Sequence, residues 1–392
     1  MFFIQEMFRN YYMEEFPPDA SFPKAERREF GFASFEGQMI RHKSFQNFEE
    51  VKFFMQNFVP RDAYYSCAYY ENPTAEMERK GWLGADLIFD IDTDHIPTPC
   101  NKIHDEWVCR NCGFSGKGIT PNNCPVCNGE KFETSTWLCQ ECLETAKNEA
   151  IKLLDILIND FGFSDKDIHV YFSGHRGYHV HIENEIVQSL DPISRKEIAD
   201  YICGIGFNEG MGSSTGWHVR IRKGLQRFLL KAVEEDFTKL NLKRNIVKAL
   251  LNNRKKILMN LEHGEIWKSV KGIGLETWGK IFNYCAQEEF VKIDTVVTAD
   301  VHRLVRLPNT LHGKTGFKKV KFPISRINDF DPFKEAIALR KGVVKTLVYN
   351  SPQFRIGEEI FGPYKNVRVE LPTAAALLLV CKGRAEVYDE NV

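Results

Sequence analysis

Residues 84–94 read GADLIFDIDTD. Leu87, Ile88, Phe89 and Ile91 predict a buried strand, and because side chains alternate at period two, Asp90 and Asp92 emerge on the same face. Their carboxylates then stand roughly 7 Å apart along one strand. Two acids this close are costly to hold unless a divalent cation or a shared proton sits with them, so the pair points to a metal site or an acid/base pair. An apolar strand running into an acidic loop would show the same letters, so the meaning of the pair depends on the rest of the chain.

The chain has 392 residues with 43% hydrophobic content, enough for a sizeable core divided over two or three domains. The net charge of -1 excludes a globally basic protein, so any nucleic-acid surface must come from local clusters of Lys and Arg. No segment approaches the length of an apolar membrane span. The N-terminus, MFFIQEMFRNYYMEEF, carries acids and periodic aromatics rather than a basic signal head. A cytoplasmic protein without a membrane partner is the expectation.

Seven of the eleven cysteines fall between Cys100 and Cys142, and three pairs are spaced CxxC. In an intracellular chain this pattern argues for Zn²⁺ rather than disulfides. With His104 there are eight ligands, enough for two tetrahedral sites. Spacing alone does not pair them, because eleven residues separate Cys112 from Cys124 and eleven again separate Cys127 from Cys139. The likeness of WVCRNC to WLCQEC favours Cys109, Cys112, Cys124 and Cys127 as an inserted ribbon, leaving Cys100, His104, Cys139 and Cys142 as a knuckle. Closed all-protein sites of this kind are structural.

Around these segments the periodicities predict a helix over 4–15, a basic hairpin with its turn at Glu36 and Gly37, a helix over 47–58 and a strand over 63–70. An amphipathic helix follows over 143–161, then strands over 168–172 and 178–182 joined by the turn Ser173 to Gly177. Residues 186–285 shift to helical spacing and heavy charge and read as a helical insertion. Their Gly-rich stretch GIGFNEGMGSSTGW lacks the terminal Lys and Ser/Thr of a P-loop and reads as a surface loop. Strand character returns over 290–297, which holds Asp294, and over 304–307, with Asp300 between them. The last 70 residues mix helix and strand and show no chemistry.

Three stretches in order, LIFDIDTD, YFSGHRGYHVHI and RLVRLPNTLHGKTG, resemble the three motifs of the archaeal and eukaryotic DNA primase small catalytic subunit, with an archaeal flavour. REFGF with MIRHKSF resembles that family's N-terminal basic hairpin, and CNKIH with WLCQECLETAK resembles its zinc knuckle. The resemblance covers about 20–320. It implies an α/β (α+β) fold: a mixed-sheet catalytic core over 1–185 and 286–392, with a zinc-binding insertion at 97–143, and a helical subdomain over 186–285. It implies Asp90, Asp92 and Asp294 as ligands of catalytic Mg²⁺ or Mn²⁺, with Asp300 as the competing third acid. Ser173, Arg176, His179, Arg306, His312 and Arg28 are implied as nucleotide-binding residues. Cys100, His104, Cys139 and Cys142 are implied as the structural zinc site, and the Cys109–Cys127 ribbon departs from the common pattern. The implied activity is DNA-templated synthesis of short RNA, or also DNA, primers from NTPs or dNTPs on single-stranded DNA, in a heterodimer with a large subunit.

The chemistry agrees with this assignment. Nucleotidyl transfer needs carboxylate-held divalent ions and cations on the triphosphate, and no side-chain nucleophile. Rival readings are a DxDxT phosphatase with Asp90 as nucleophile, an HxH metal site at His179 and His181, a non-catalytic zinc module, and a repair-type primase-polymerase acting alone. The phosphatase leaves SGHRGYH and LHGKTG unexplained.

Overall fold

The computed structural model describes residues 2–17, 22, 24–207, 216–262 and 266–388. Residues 208–215 of the Gly-rich stretch lie outside the described residues. The fold mixes helix and sheet, an α+β architecture. Eight strands build the part that carries the motifs: β1 (Phe30–Ala33), β2 (Met39–Lys43), β3 (Asp62–Ser66), β4 (Leu87–Asp92), β5 (Ile168–Phe172), β6 (Gly177–Ile182), β7 (Leu304–Arg306) and β8 (Val320–Phe322). They form two antiparallel four-stranded sheets, ordered β7-β3-β1-β2 and β8-β5-β6-β4.

The first sheet buries its apolar side under the N-terminal segment. Helix Phe2–Asn10 runs into a π-helical turn, Tyr11–Glu15, and brings Phe8, Tyr11, Tyr12 and Phe16 against Phe30, Phe32, Val51 and Met55. The helix expected over 47–58 spans Phe48–Phe58, with Asn47 capping it by accepting from Glu50 N at 3.1 Å. The strand expected over 63–70 breaks at Cys67 into β3 and Ala68–Tyr70.

Strand β4 is an interior strand in composition but an edge in position. Leu87, Phe89 and Ile91 are fully buried, while Asp90 and Asp92 alternate with them on the other face. Its partner β6 comes close at Gly177, where a Cβ would run into the carbonyl oxygen of Ile91. The turn between β5 and β6 is therefore glycine on packing grounds as well as by conformation.

The expected strand over 290–297 is not formed. Thr295–Ala299 is a short helix, and Asp294 is its N-cap. The β-branched run Thr295, Val296, Val297 suggested a strand, but the Asp294 side chain at the cap satisfies two helix-start N–H groups and the chain turns into a helix there.

The cysteine-rich segment builds a three-stranded sheet of Ser115–Lys117, Glu106–Cys109 and Phe132–Ser135, with Trp107 packed edge-on against Phe132 at 5.4 Å. After β8, strands Val343–Ser351, Tyr364–Pro372 and Ala385–Val387 form a separate sheet. Helix Thr373–Cys381 lies within this C-terminal portion; it is apolar all round and largely buried.

The chain divides into two compact units. The first comprises Met1–Ile151, Phe163–Lys196 and Ile293–Val392; the second comprises Lys152–Gly162 and Glu197–Lys292. Among the described residues the second unit is helical. Helices Trp217–Lys231 and Leu275–Glu289 pack together, with Phe228 and Tyr284 at 5.4 Å. Among the described residues, no helix is long and apolar enough to cross a membrane.

Candidate active site

Asp90 lies directly opposite His179 in the β4–β6 ladder, and His179 Nε2 stands 3.4 Å from Asp90 Oδ1. Asp294, two hundred residues downstream in the chain, reaches the same strand: its N–H donates to the Asp90 carbonyl at 2.9 Å. Its carboxylate accepts from Val296 N at 3.0 Å and Val297 N at 3.4 Å, which fixes its direction. Asp300 instead accepts from His302 N at 2.9 Å. Burial first, then the charges of Asp92 and Asp294, push Asp90 up to about 7. Burial and the neighbouring Asp94 push Asp92 up to about 6. This end of β4 therefore holds more negative charge than its surroundings neutralise, the condition under which a divalent cation binds. Ligand atoms of Asp92, Asp94 and His175 also lie within 4.8 Å of one another. In that trio, however, Asp94 is already ion-paired to Arg176 and His175 accepts from an ammonium, so its negative charge is largely spent.

The two glycine-rich motifs meet beside these carboxylates. Ser173 Oγ accepts from His175 N at 3.2 Å and Gly177 N at 3.3 Å and closes the β5–β6 turn. Gly174 has φ +86°, and a Cβ there would lie 3.1 Å from His312 Cβ. Thr315 Oγ1 donates to the Gly174 carbonyl at 2.6 Å, and the rings of His175 and His312 stack with centroids 4.9 Å apart. Arg306 Nη1 donates to Asp62 Oδ1 at 2.8 Å, and Gly313 N donates to the same oxygen at 2.9 Å. Burial opposes the Asp62 carboxylate, but the Arg306 charge and the hydrogen bonds from Gly313 N and Arg306 hold it well below the usual range. His179 and His312 are held neutral chiefly by burial, then by nearby cations. His179 Nδ1 is buried without a hydrogen-bond partner among the described residues.

Arg176 ties this site to the zinc segment. Fully buried, it pairs with Asp105 at 2.8 Å and Asp94 at 3.2 Å, donates from Nε to Thr93 Oγ1 at 2.9 Å, and reaches Cys142 Sγ at 3.6 Å. Asp105 also accepts from His104 Nδ1 at 2.6 Å, which turns His104 Nε2 toward Cys142.

Ligand atoms of Cys100, His104, Cys139 and Cys142 form one group within 4.8 Å, and those of Cys109, Cys112, Cys124 and Cys127 form another. Sulfur separations run from 3.3 Å for Cys100 and Cys142 to 3.6 Å for Cys112 and Cys124. A tetrahedron with Zn–S bonds of about 2.3 Å has S···S edges of roughly 3.8 Å, so both groups suit Zn²⁺.

Arg28, expected among the nucleotide ligands, lies in the interior in this structure. It is 1% exposed; Nη2 donates to Asp86 and to Tyr69 Oη at 2.6 Å each, and Nη1 donates to the Ser66 carbonyl at 2.7 Å. A buried guanidinium is retained where a carboxylate and carbonyls absorb its charge, and these partners hold Arg28 in the interior. His181 is likewise interior, with Nδ1 3.3 Å from Tyr65 Oη, and it joins no ligand cluster among the described residues.

Asp62, Thr93, Asp105 and Lys319 are parts of the site that sequence reasoning missed. Asp62 carried a faint signal, an acid leading an otherwise apolar strand. Lys319 had only its place in a basic run, yet it is fully buried, donates to the Arg306 carbonyl at 2.9 Å and adds its charge to the field at Asp90.

Comparison with known proteins agrees with this geometry. A family model described as DNA primase small subunit matches residues 128–325. Proteins named DNA primase small subunit PriS are similar over nearly the whole chain. The one from Nitrosopumilus maritimus is 31% identical over 387 residues, covering 98% of both chains. The one from Cenarchaeum symbiosum is 32% identical over 385 residues, 97% of both. The one from Pyrobaculum aerophilum is 33% identical over 396 residues, covering 98% of this chain and 99% of the relative. A likeness of this extent shows that the chain belongs to the DNA primase small subunit family of nucleotidyltransferases.

Proposed function

We propose that this chain performs template-directed nucleotidyl transfer in primer synthesis for DNA replication, as the catalytic subunit beside a large subunit. The observation that supports the reading is that the charges of Asp92 and Asp294 both act on Asp90, with the Asp294 N–H on the Asp90 carbonyl, at the end of β4 beside the joined turns of Ser173–Gly177 and His312–Gly316. The three carboxylates hold catalytic Mg²⁺ or Mn²⁺. When bound, such ions lower the pKa of the attacking 3′-hydroxyl and steady the pyrophosphate leaving group. His179 and His312 offer neutral imidazoles to phosphate oxygens, and Arg176 and Arg306, anchored by Asp105 and Asp62, supply fixed positive charge. Ser173 shapes the turn whose backbone faces the phosphates. Zn²⁺ at the knuckle, on Cys100, His104, Cys139 and Cys142, acts structurally by locking Asp105 and with it Arg176. The ribbon cysteines hold a second structural Zn²⁺. Single-stranded DNA is the template and NTPs or dNTPs are the substrates.

The test is synthesis from labelled nucleotides on a single-stranded template with Mg²⁺ or Mn²⁺, wild type against Asp90→Ala. Template-dependent product from the wild type alone is expected. Phosphate release from a small ester without template, and no polymer, would overturn the reading in favour of a phosphatase.

A further inference from the structure

The C-terminal portion contributes to the site described above. Helix Thr373–Cys381, held in the interior by its apolar side chains, ends at Cys381, and Lys382 follows at once. Its Nζ lies 3.0 Å from His175 Nε2. His175 is kept neutral by burial and then by the Lys382 charge itself, so the ammonium donates and the imidazole accepts. His175 is also the residue whose ring stacks on His312, so Lys382 stands where the two glycine-tight turns join.

The charges around this ammonium do not close. Arg176 takes Asp94 and Asp105, and Arg306 takes Asp62. Lys382 feels Arg176, Lys314 and Asp94, but among the described residues no carboxylate forms an ion pair with it, and its acceptor is a neutral ring. Lys382 is half-buried, and a partly desolvated ammonium without an anion is costly; burial followed by Arg176 and Lys314 lowers it to about 7. An arriving polyanion reverses that penalty. Lys382 has three rotatable donors on a flexible stem and can leave His175 for a phosphate oxygen without moving the backbone.

We infer that Lys382 is a nucleotide-binding residue that donates its ammonium to the triphosphate of the incoming nucleotide at the His175–His312 junction. This rests on the nucleotidyl-transfer reading of the same site and adds a ligand from a segment outside the three motifs. His175 is then the parking acceptor that keeps the ammonium ordered while the site is empty.

The experiment measures affinity for inorganic tripolyphosphate by calorimetry on the full chain, comparing wild type, Lys382→Met and Lys382→Arg, with thermal melts of each. Loss of one charge-assisted contact should weaken Lys382→Met about tenfold to hundredfold, while Lys382→Arg stays within about threefold of wild type. The melting temperature of Lys382→Met should be equal or higher, because a half-buried charge without an anion is removed. In synthesis assays, KM for nucleotide should rise in the same proportion and kcat should change little. Unchanged tripolyphosphate affinity in Lys382→Met, or no binding by wild type, overturns the assignment. If Lys382→Met fails to fold, Lys382→Gln decides, since it keeps a polar end beside His175 without the charge: weakened tripolyphosphate affinity supports the assignment and unchanged affinity overturns it. Absence of templated synthesis by wild type would instead defeat the underlying reading, and the binding comparison stands apart from it.

Discussion

Asp90, Asp92 and Asp294 differ in how they are held, and the difference sets their expected behaviour. Asp90 and Asp92 have raised pKa values because burial, with the charges of Asp92 and Asp294 on Asp90 and of Asp94 on Asp92, disfavours the ionised form, whereas Asp294 is tied to two helix-start N–H groups. Removing any one should abolish primer synthesis, by about a thousandfold or more, while leaving single-stranded DNA binding in place. Asp300→Ala should retain synthesis, because its carboxylate is engaged in capping a turn through His302 N. The raised values also give a pH signature. In metal-free protein, Asp90 and Asp92 bind more protons folded than unfolded, so their contribution to stability is complete below about pH 4 and is lost as pH rises through about 6 to 7. Chemical denaturation across that range should show the decline; Asp90→Asn should flatten it, and excess Mg²⁺ should offset it. Asp90 and Asp92 were legible because period-two alternation alone places them together. The burial of Arg28 on Asp86 was not legible, because a basic residue beside a strand reads the same whether it faces solvent or the interior.

At the scale of elements, two features decide the site. The β5–β6 hairpin is pressed onto β4 at Gly177, which aligns His179 with Asp90. The zinc segment matters through a different element: the short helix Asn101–His104 and the start of Gln140–Asn159 carry knuckle ligands, and Asp105 passes their position to Arg176. Elemental analysis should return two zinc ions per chain. Cys124→Ser should reduce this to one and lower thermal stability, with the folded fraction keeping most of its specific activity, since the ribbon group does not touch Arg176. Replacing Asp105 with Asn should reduce activity at full zinc content, because it loosens both His104 and Arg176 without removing a ligand. The elements expected from periodicity mostly formed, with boundaries shifted by a few residues. The exception, 290–297, shows where local reading ends: β-branched propensity is weak, and a capping aspartate overrides it.

For the whole molecule, a net charge of -1 means that template binding depends on local clustering of cations. Binding to single-stranded DNA should therefore fall steeply as salt rises from about 50 to 200 mM, measured by fluorescence anisotropy; a flat response would argue against a phosphate-tracking groove. The site is assembled from β3, β4, the β5–β6 turn, β7 and the segment after the C-terminal helix, parts separated by up to several hundred residues.

By itself the sequence determined the local features: a strand that presents two carboxylates on one face, two turns that require glycine, and eight zinc-type ligands. Each follows from short-range periodicity or spacing. Its motif order also pointed to the family. Only the tertiary structure decided which acid joins Asp90, that Arg28 is buried on Asp86, that Arg176 bridges the zinc knuckle and the metal strand, and that Lys382 reaches His175. Those outcomes depend on which distant surfaces exclude water together and on how the charges trapped there are balanced, and no local pattern along the chain records that balance.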